Sequence, residues 1–244
     1  ILPRMCLNRF YLAQGVKLYS HETWKLVFPE GGMEQVVRYL PAIVRYYVQM
    51  CDADNHVVRE AACQATAELA DRVGSDEEHR PVLQEHVHVL LQALLMCFHD
   101  ESWPVRDEAC LACGTLCRSF PEDCRPEFKT LWERWTEQLT DQIWSVRQDA
   151  AVALADALVA YGEEIWEPMK NDLIPKILPA ARDQPAMTRE EYKAHINSAE
   201  AHTNSQLYSC GSLAPKLKKK AGAGRIGCSN CGIDRPKAPW EATE

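Results

Sequence analysis

The chain has 244 residues, 46% of them apolar and 25% charged, with a formal net charge of −8. That apolar share excludes a disordered chain for most of its length. No apolar run reaches the ~18 residues of a membrane span; the nearest, Val87 to Phe98, is interrupted by His88 and Gln92.

In chain order, residues 3–19 read as a lone helix, so 1–31 form a partial repeat and a connector. Residues 33–51 form an apolar helix. A second helix follows from about His56, with Val58, Ala62, Ala65, Leu69 and Val73 on one face. Steps of four and three place those residues on a single helical stripe. The pair recurs: residues 81–98 precede a helix bearing Val105, Ala109, Ala112, Leu116 and Phe120. Residues 126–139 precede one bearing Val146, Ala150, Ala153, Ala157 and Tyr161. Pro81 and Pro126 sit where a first helical turn tolerates proline, and Gly74, Pro121 and Gly162 close the second helices. Another first-type helix spans 163–182. No strand-like alternation competes.

The second helices align without gaps on a Val-Arg pair. Arg59, Arg106 and Arg147 are 47 and 41 residues apart, a period suited to helix pairs. Asp100 and Asp141 each stand six residues before their arginine. In the first unit Ala53 holds that place, flanked by Asp52 and Asp54, which leaves its ladder contact open. The turn Asp, the Val-Arg opening and the six-residue spacing resemble the HEAT-repeat family. The family's turn Pro, eight residues before the Asp, occurs only as Pro175 before Asp183. The resemblance implies an all-α fold, an α-solenoid of HEAT-type helix pairs over 32–183, divided at about 32–74, 75–120, 121–162 and 163–183. It also implies that Arg59, Asp100, Arg106, Asp141 and Arg147 form a structural ladder between stacked repeats. Trp103 and Trp144, with His56 at the matching place, lie beside the ladder. They read either as a staple over the seam or as an aromatic row facing a partner.

Residues 1–183 carry 18 Lys/Arg against 29 Asp/Glu, and residues 184–244 carry 9 against 6. An acidic body argues against a protein that coats nucleic acid. Residues 184–234 read as a long irregular, basic, Gly/Lys-rich insertion near the C-terminus, with 235–244 opening the delayed next helix. The seven positive charges between Lys216 and Lys237, led by Lys216, Lys218, Lys219 and Lys220, face only Asp234. A solvated loop, an acidic protein surface such as tubulin, and nucleic acid or anionic lipid stay open as explanations.

Chemistry motifs are weak. Gly222 to Gly227 spell G-x-G-x-x-G, but the lysines before them cannot be the buried strand that a dinucleotide site needs. Cys228 and Cys231 form a lone C-x-x-C, a weak zinc candidate whose other ligands would be sought among His195, His202 and Cys210. His86 and His88 fall on different helix faces, and Asp76, Glu77 and Glu78 suit a helix start. No catalytic residue and no cofactor site is nominated. Eleven cysteines without a visible signal peptide suggest a reducing cytoplasm, and a chain from Ile1 to Glu244 reads as a piece of something longer. The expectation is a non-enzymatic scaffold or adaptor in a multi-subunit assembly, with a cytoskeletal or ciliary setting among those the resemblance suggests. A cargo-binding transport receptor and a regulatory subunit of an enzyme such as a phosphatase are the alternatives.

Overall fold

The computed structural model describes residues 1–141 and 143–182, and every regular element among them is helical. The expected insertion at 184–234, the helix opening at 235–244, Asp183 and the C-x-x-C lie outside the described residues. The lone N-terminal helix is two: α1 (Leu2–Asn8) and α2 (Gln14–Val27). Short-range bonds from Phe10 N to Leu7 O and from Tyr11 N to Asn8 O turn the chain between them.

The first-type helices are also segmented. Helix α3 (Met33–Arg38) stops at Tyr39, and α4 (Leu40–Met50) restarts with Pro41 in its first turn. Pro41 cannot donate to the Val37 carbonyl, so a single helix over 33–51 breaks there. After α5 (His56–Gly74), the segment expected as one helix over 81–98 divides into α6 (Arg80–Gln84) and α7 (Val87–Cys97). After α8 (Trp103–Ser119), a short α9 (Pro121–Cys124) and a 3-10 turn at Arg125–Glu127 lead into α10 (Phe128–Gln138). After α11 (Trp144–Tyr161), α12 (Glu163–Pro168), a π-helical turn at Met169–Leu173 and α13 (Ile174–Arg182) complete the described chain.

The second-type helices are unbroken. Asn55 caps α5 by accepting from Val57 N at 3.0 Å, which satisfies a donor that a helix start leaves orphaned. Helix α5 packs on α8 and α8 on α11, while α4, α7 and α10 lie against α5, α8 and α11. The ladder residues point into the seams: Ala62, Ala109, Ala150, Ala153 and Ala157 have no exposed surface. Small side chains let the backbones approach closely. At Gly114 a Cβ would stand 2.9 Å from Ala153 Cα, so only glycine fits. Gly74 has a similar role at the end of α5, where a Cβ would stand 2.9 Å from the buried Phe120 ring. Gly162, with φ of 58°, is the glycine that ends its helix by backbone conformation.

Gly114→Ala tests the α8–α11 approach. We expect a loss of about 1–3 kcal/mol in urea unfolding. Gly15→Ala, where a Cβ meets nothing within 4 Å, should be neutral or slightly stabilising. Equal midpoints for the two variants would mean that the helices are farther apart.

Candidate functional site

The turns between paired helices carry a continuous polar edge. Arg59 at the start of α5 donates to both Asp100 oxygens, at 2.5 and 2.8 Å, and to the carbonyls of Ala53 at 2.7 Å and Asp54 at 3.1 Å. One turn further along, Arg106 donates to the Asp100 carbonyl at 3.0 Å and to Asp141 Oδ2 at 3.2 Å. Arg147 donates to the Asp141 carbonyl at 2.6 Å. Each arginine thus takes carbonyls from its own turn and, where the partner is described, a carboxylate from the next. The carboxylates are shared: Asp100 also accepts from Ser102 N and Asp141 from Ile143 N, both at 2.8 Å, which shapes each turn. Ala53 does not weaken Arg59, because its own turn need supply only backbone oxygens.

Trp103 does not face a partner. It is 8% exposed and packs with Ile143 and Val146 across the seam, so a packed staple replaces the aromatic row suggested for it. The side chain of Trp144 lies outside what is described, as do Lys216, Lys218, Lys219, Lys220, Cys228 and Cys231.

A second polar surface lies along α5, α8 and α11. Gln64 donates to Glu108 Oε1 at 2.6 Å, and Ser145 donates to Asp107 Oδ2 at 2.8 Å. Arg118 on α8 reaches both neighbours, Asp71 on α5 at 3.1 Å and Asp156 on α11 at 3.0 Å. Arg9, just after α1, pairs with Glu68. Partly exposed Glu68, Glu108, Asp149 and Asp156, with the exposed Asp71, outnumber Arg9, Arg72 and Arg118 beside them and leave this face acidic. Asp107 is 6% exposed, and its Oδ1 has no partner among the described residues. Burial, reinforced by Asp149, pushes its pKa up to about 9, against the hydrogen bond from Ser145 and the charge of Arg106. Burial likewise pushes Asp149 up to about 6. This face escapes a sequence search because its acids look like ordinary solvated helix positions. Aligning the second helices, which sets Glu108 four residues after Pro104 and Asp149 four after Ser145, would have placed them in one row.

Among the described residues, the side chains that could hold a metal are Cys51, Cys63 and Cys97, whose Sγ atoms lie within 4.8 Å of one another. Hydrogen bonds from Cys51 and then Cys63 pull Cys97 down to about 5, against the effect of burial. Cys63, sharing the same bonds and fully buried, moves well up.

The family model for the HEAT repeat matches residues 90–120, covering most of α7, the Asp100 turn and α8. That stretch is similar to a HEAT repeat. HEAT repeats commonly mediate protein–protein interactions and are generally non-catalytic. No curated protein matches the chain. The helix pairs on either side of the matched repeat carry the same Val-Arg opening, and the three second helices stack as one solenoid layer. No helix among the described residues is long and apolar enough to cross a membrane.

Removing Arg106 strands the Asp100 carbonyl and the Asp141 carboxylate. Arg106→Ala should therefore cost about 1.5–3 kcal/mol. Arg72→Ala, at a side chain 69% exposed, should cost well under about 1 kcal/mol. Chemical denaturation of both variants checks this, and equal small losses would remove the ladder's role in stability.

Asp107 holds its proton more tightly folded than unfolded. Its contribution is therefore fully present below about pH 4 and is lost as the pH rises toward 9, by up to about 1.4 kcal/mol per pH unit. Asp149 acts in the same direction over the lower part of that window. Asp107→Asn keeps the acceptor for Ser145 and removes the charge. It should match the parent near pH 4 and exceed it in stability at pH 8; parallel stability–pH curves would show that Asp107 is ionised in the fold.

Proposed function

We propose that this chain is a non-enzymatic scaffold of a multi-subunit assembly that takes a basic segment of a protein partner along the acidic face of its second helices. One observation carries the reading: Glu68, Asp71, Glu108, Asp149 and Asp156 lie on three successive stacked helices, cross-linked by Arg118. Stacking fixes their spacing, so a Lys/Arg-rich segment would meet carboxylates that are already oriented and would lose little by ordering them. The interaction would be steered by charge and weakened by salt.

The charge of the C-terminal quarter favours a second reading. Lys216, Lys218, Lys219 and Lys220 would contact an acidic partner such as a tubulin-like surface, in a cytoplasmic, cytoskeletal or ciliary setting. Nucleic acid is the weaker candidate for those lysines, given the acidic body beside them.

Two variants separate these readings. In one, Glu108→Gln, Asp149→Asn and Asp156→Asn are combined; in the other, the four lysines become Gln. Affinity capture with each, quantified by mass spectrometry over a salt series, should show partners lost at least ~10-fold with the first variant. Loss confined to the lysine variant would transfer the function to the tail. Unchanged capture with both would exclude electrostatic docking.

A further inference from the structure

The thiols of Cys51, Cys63 and Cys97 come from three elements: the residue closing α4, the second turn of α5 and the last residue of α7. They are 4%, 0% and 2% exposed, and the Cys97 thiol also donates to the Cys51 carbonyl at 3.6 Å. Eight cysteines are described, all buried and free. A small buried thiol usually serves as a small hydrophobe, and for most of these eight that account suffices. Among the described residues, only this trio forms a ligand-distance group.

The repeat explains why they meet. Cys51 stands eight residues before Arg59, and Cys97 nine before Arg106, so stacking the two turns sets them side by side. Cys63 lies one helical turn after Arg59 and faces the same seam. At the next seam the corresponding positions are Cys97, Cys110 and Gln138, so the repeat alone does not reproduce the third thiol there.

The dimensions suit a thiophilic ion. Sulfurs no more than 4.8 Å apart have a common centre at most ~2.8 Å from each, and a Zn–S bond is about 2.3 Å. A contraction of about half an ångström per sulfur, achievable by side-chain rotation, would close the site. Entry is also provided. A cleft of about 310 Å³ is lined by Cys51 and Cys97 together with Asp54, Arg59 and Asp100.

We propose that Cys51, Cys63 and Cys97 bind one Zn²⁺ ion, with a solvent ligand from the cleft in the fourth position. Binding replaces the thiol protons with the metal and releases them to water, with no change in oxidation state. The ion would tie α4, α5 and α7 together and so lock the first two repeats at the Arg59 turn.

The test uses the full chain, reduced and stripped with a chelator, then titrated with Cd²⁺ while thiolate-to-metal charge-transfer absorption is followed and Zn²⁺ is added as competitor. One ion per chain is expected, with Cys51, Cys63 and Cys97 alkylated more slowly in the metal-loaded than in the stripped chain, in urea that lets the stripped thiols react, as read by mass spectrometry. Cys63→Ala and Cys97→Ala should each weaken binding by more than the roughly 10–100-fold that loss of an outer-shell partner costs. Cys110→Ala and the double variant Cys228→Ala/Cys231→Ala should bind as the parent does. Metal-dependent protection in the parent, meaning slower labelling of the trio with Cd²⁺ than without it at one urea concentration, decides the matter even if a core variant fails to fold. The proposal is overturned by parent-like binding in Cys63→Ala, by loss of binding in the Cys228/Cys231 variant, by no protection of the trio, or by a Cys51–Cys97 disulfide that forms in place of metal uptake.

Discussion

Arg59 and Arg106, each at the start of a second helix, have two jobs, and the rest of the solenoid depends on their being done together. Arg59 and Arg106 hold the carbonyls of their own turn and the carboxylate of the following turn. The first contact fixes how the chain enters the helix; the second fixes where the next repeat sits. Both lie in a partly desolvated edge, where side-chain exposure is 12% for Arg59 and 7% for Arg106. A charge-assisted hydrogen bond there is stronger than one in water, and a stranded partner costs correspondingly more. The apolar seam and the turns set this register together. The close approach of Gly114 to Ala153 restrains α8 on α11, and the bidentate Arg59–Asp100 pair, which has one geometry, restrains α5 on the following turn.

The second helices could be read from sequence because every level of the signal agrees on them. The ladder through Val105, Ala109, Ala112 and Leu116 has helical steps, the Val-Arg pair marks its start, and the whole pattern recurs. The segmentation of the first helices was less visible. Pro41 offered a local cause for one break, but the division between α6 and α7 at Glu85 and His86 has neither proline nor glycine. There the packing of α6 and α7 against their neighbours overrides a continuous apolar pattern, as tertiary context commonly does with weak local preferences.

Two features of the site were hidden by reading residues one at a time. Ala53 looked like a defect because an aspartate was sought in the same turn as Arg59, yet the carboxylate comes from Asp100, 41 residues on. Cys51, Cys63 and Cys97 stand 12 and 34 residues apart, a spacing with no familiar ligand motif. Only superposing the repeats shows that two of them hold neighbouring places in successive units. The sequence leaves Trp103 between two readings, and its position over Ile143 and Val146 selects the staple, making it part of the seam.

The acidic face follows from the same register. Since the turns determine how α5, α8 and α11 lie side by side, they also determine that Arg118 reaches Asp71 and Asp156 at once and that Ser145 meets Asp107. Asp107 is the strained member of this row. It is buried with one oxygen unpartnered among the described residues, and an apolar residue of similar size would relieve the desolvation it suffers. A buried acid of this kind is easier to understand on a surface that receives positive charge than in a seam whose only task is cohesion. A cation docking near Asp107 and Asp149 would lower both pKa values, release protons and convert the fold's local penalty into binding energy. The turn edge therefore supplies rigidity, and the row along α5, α8 and α11 supplies the carboxylates that a basic partner would meet on the proposed reading.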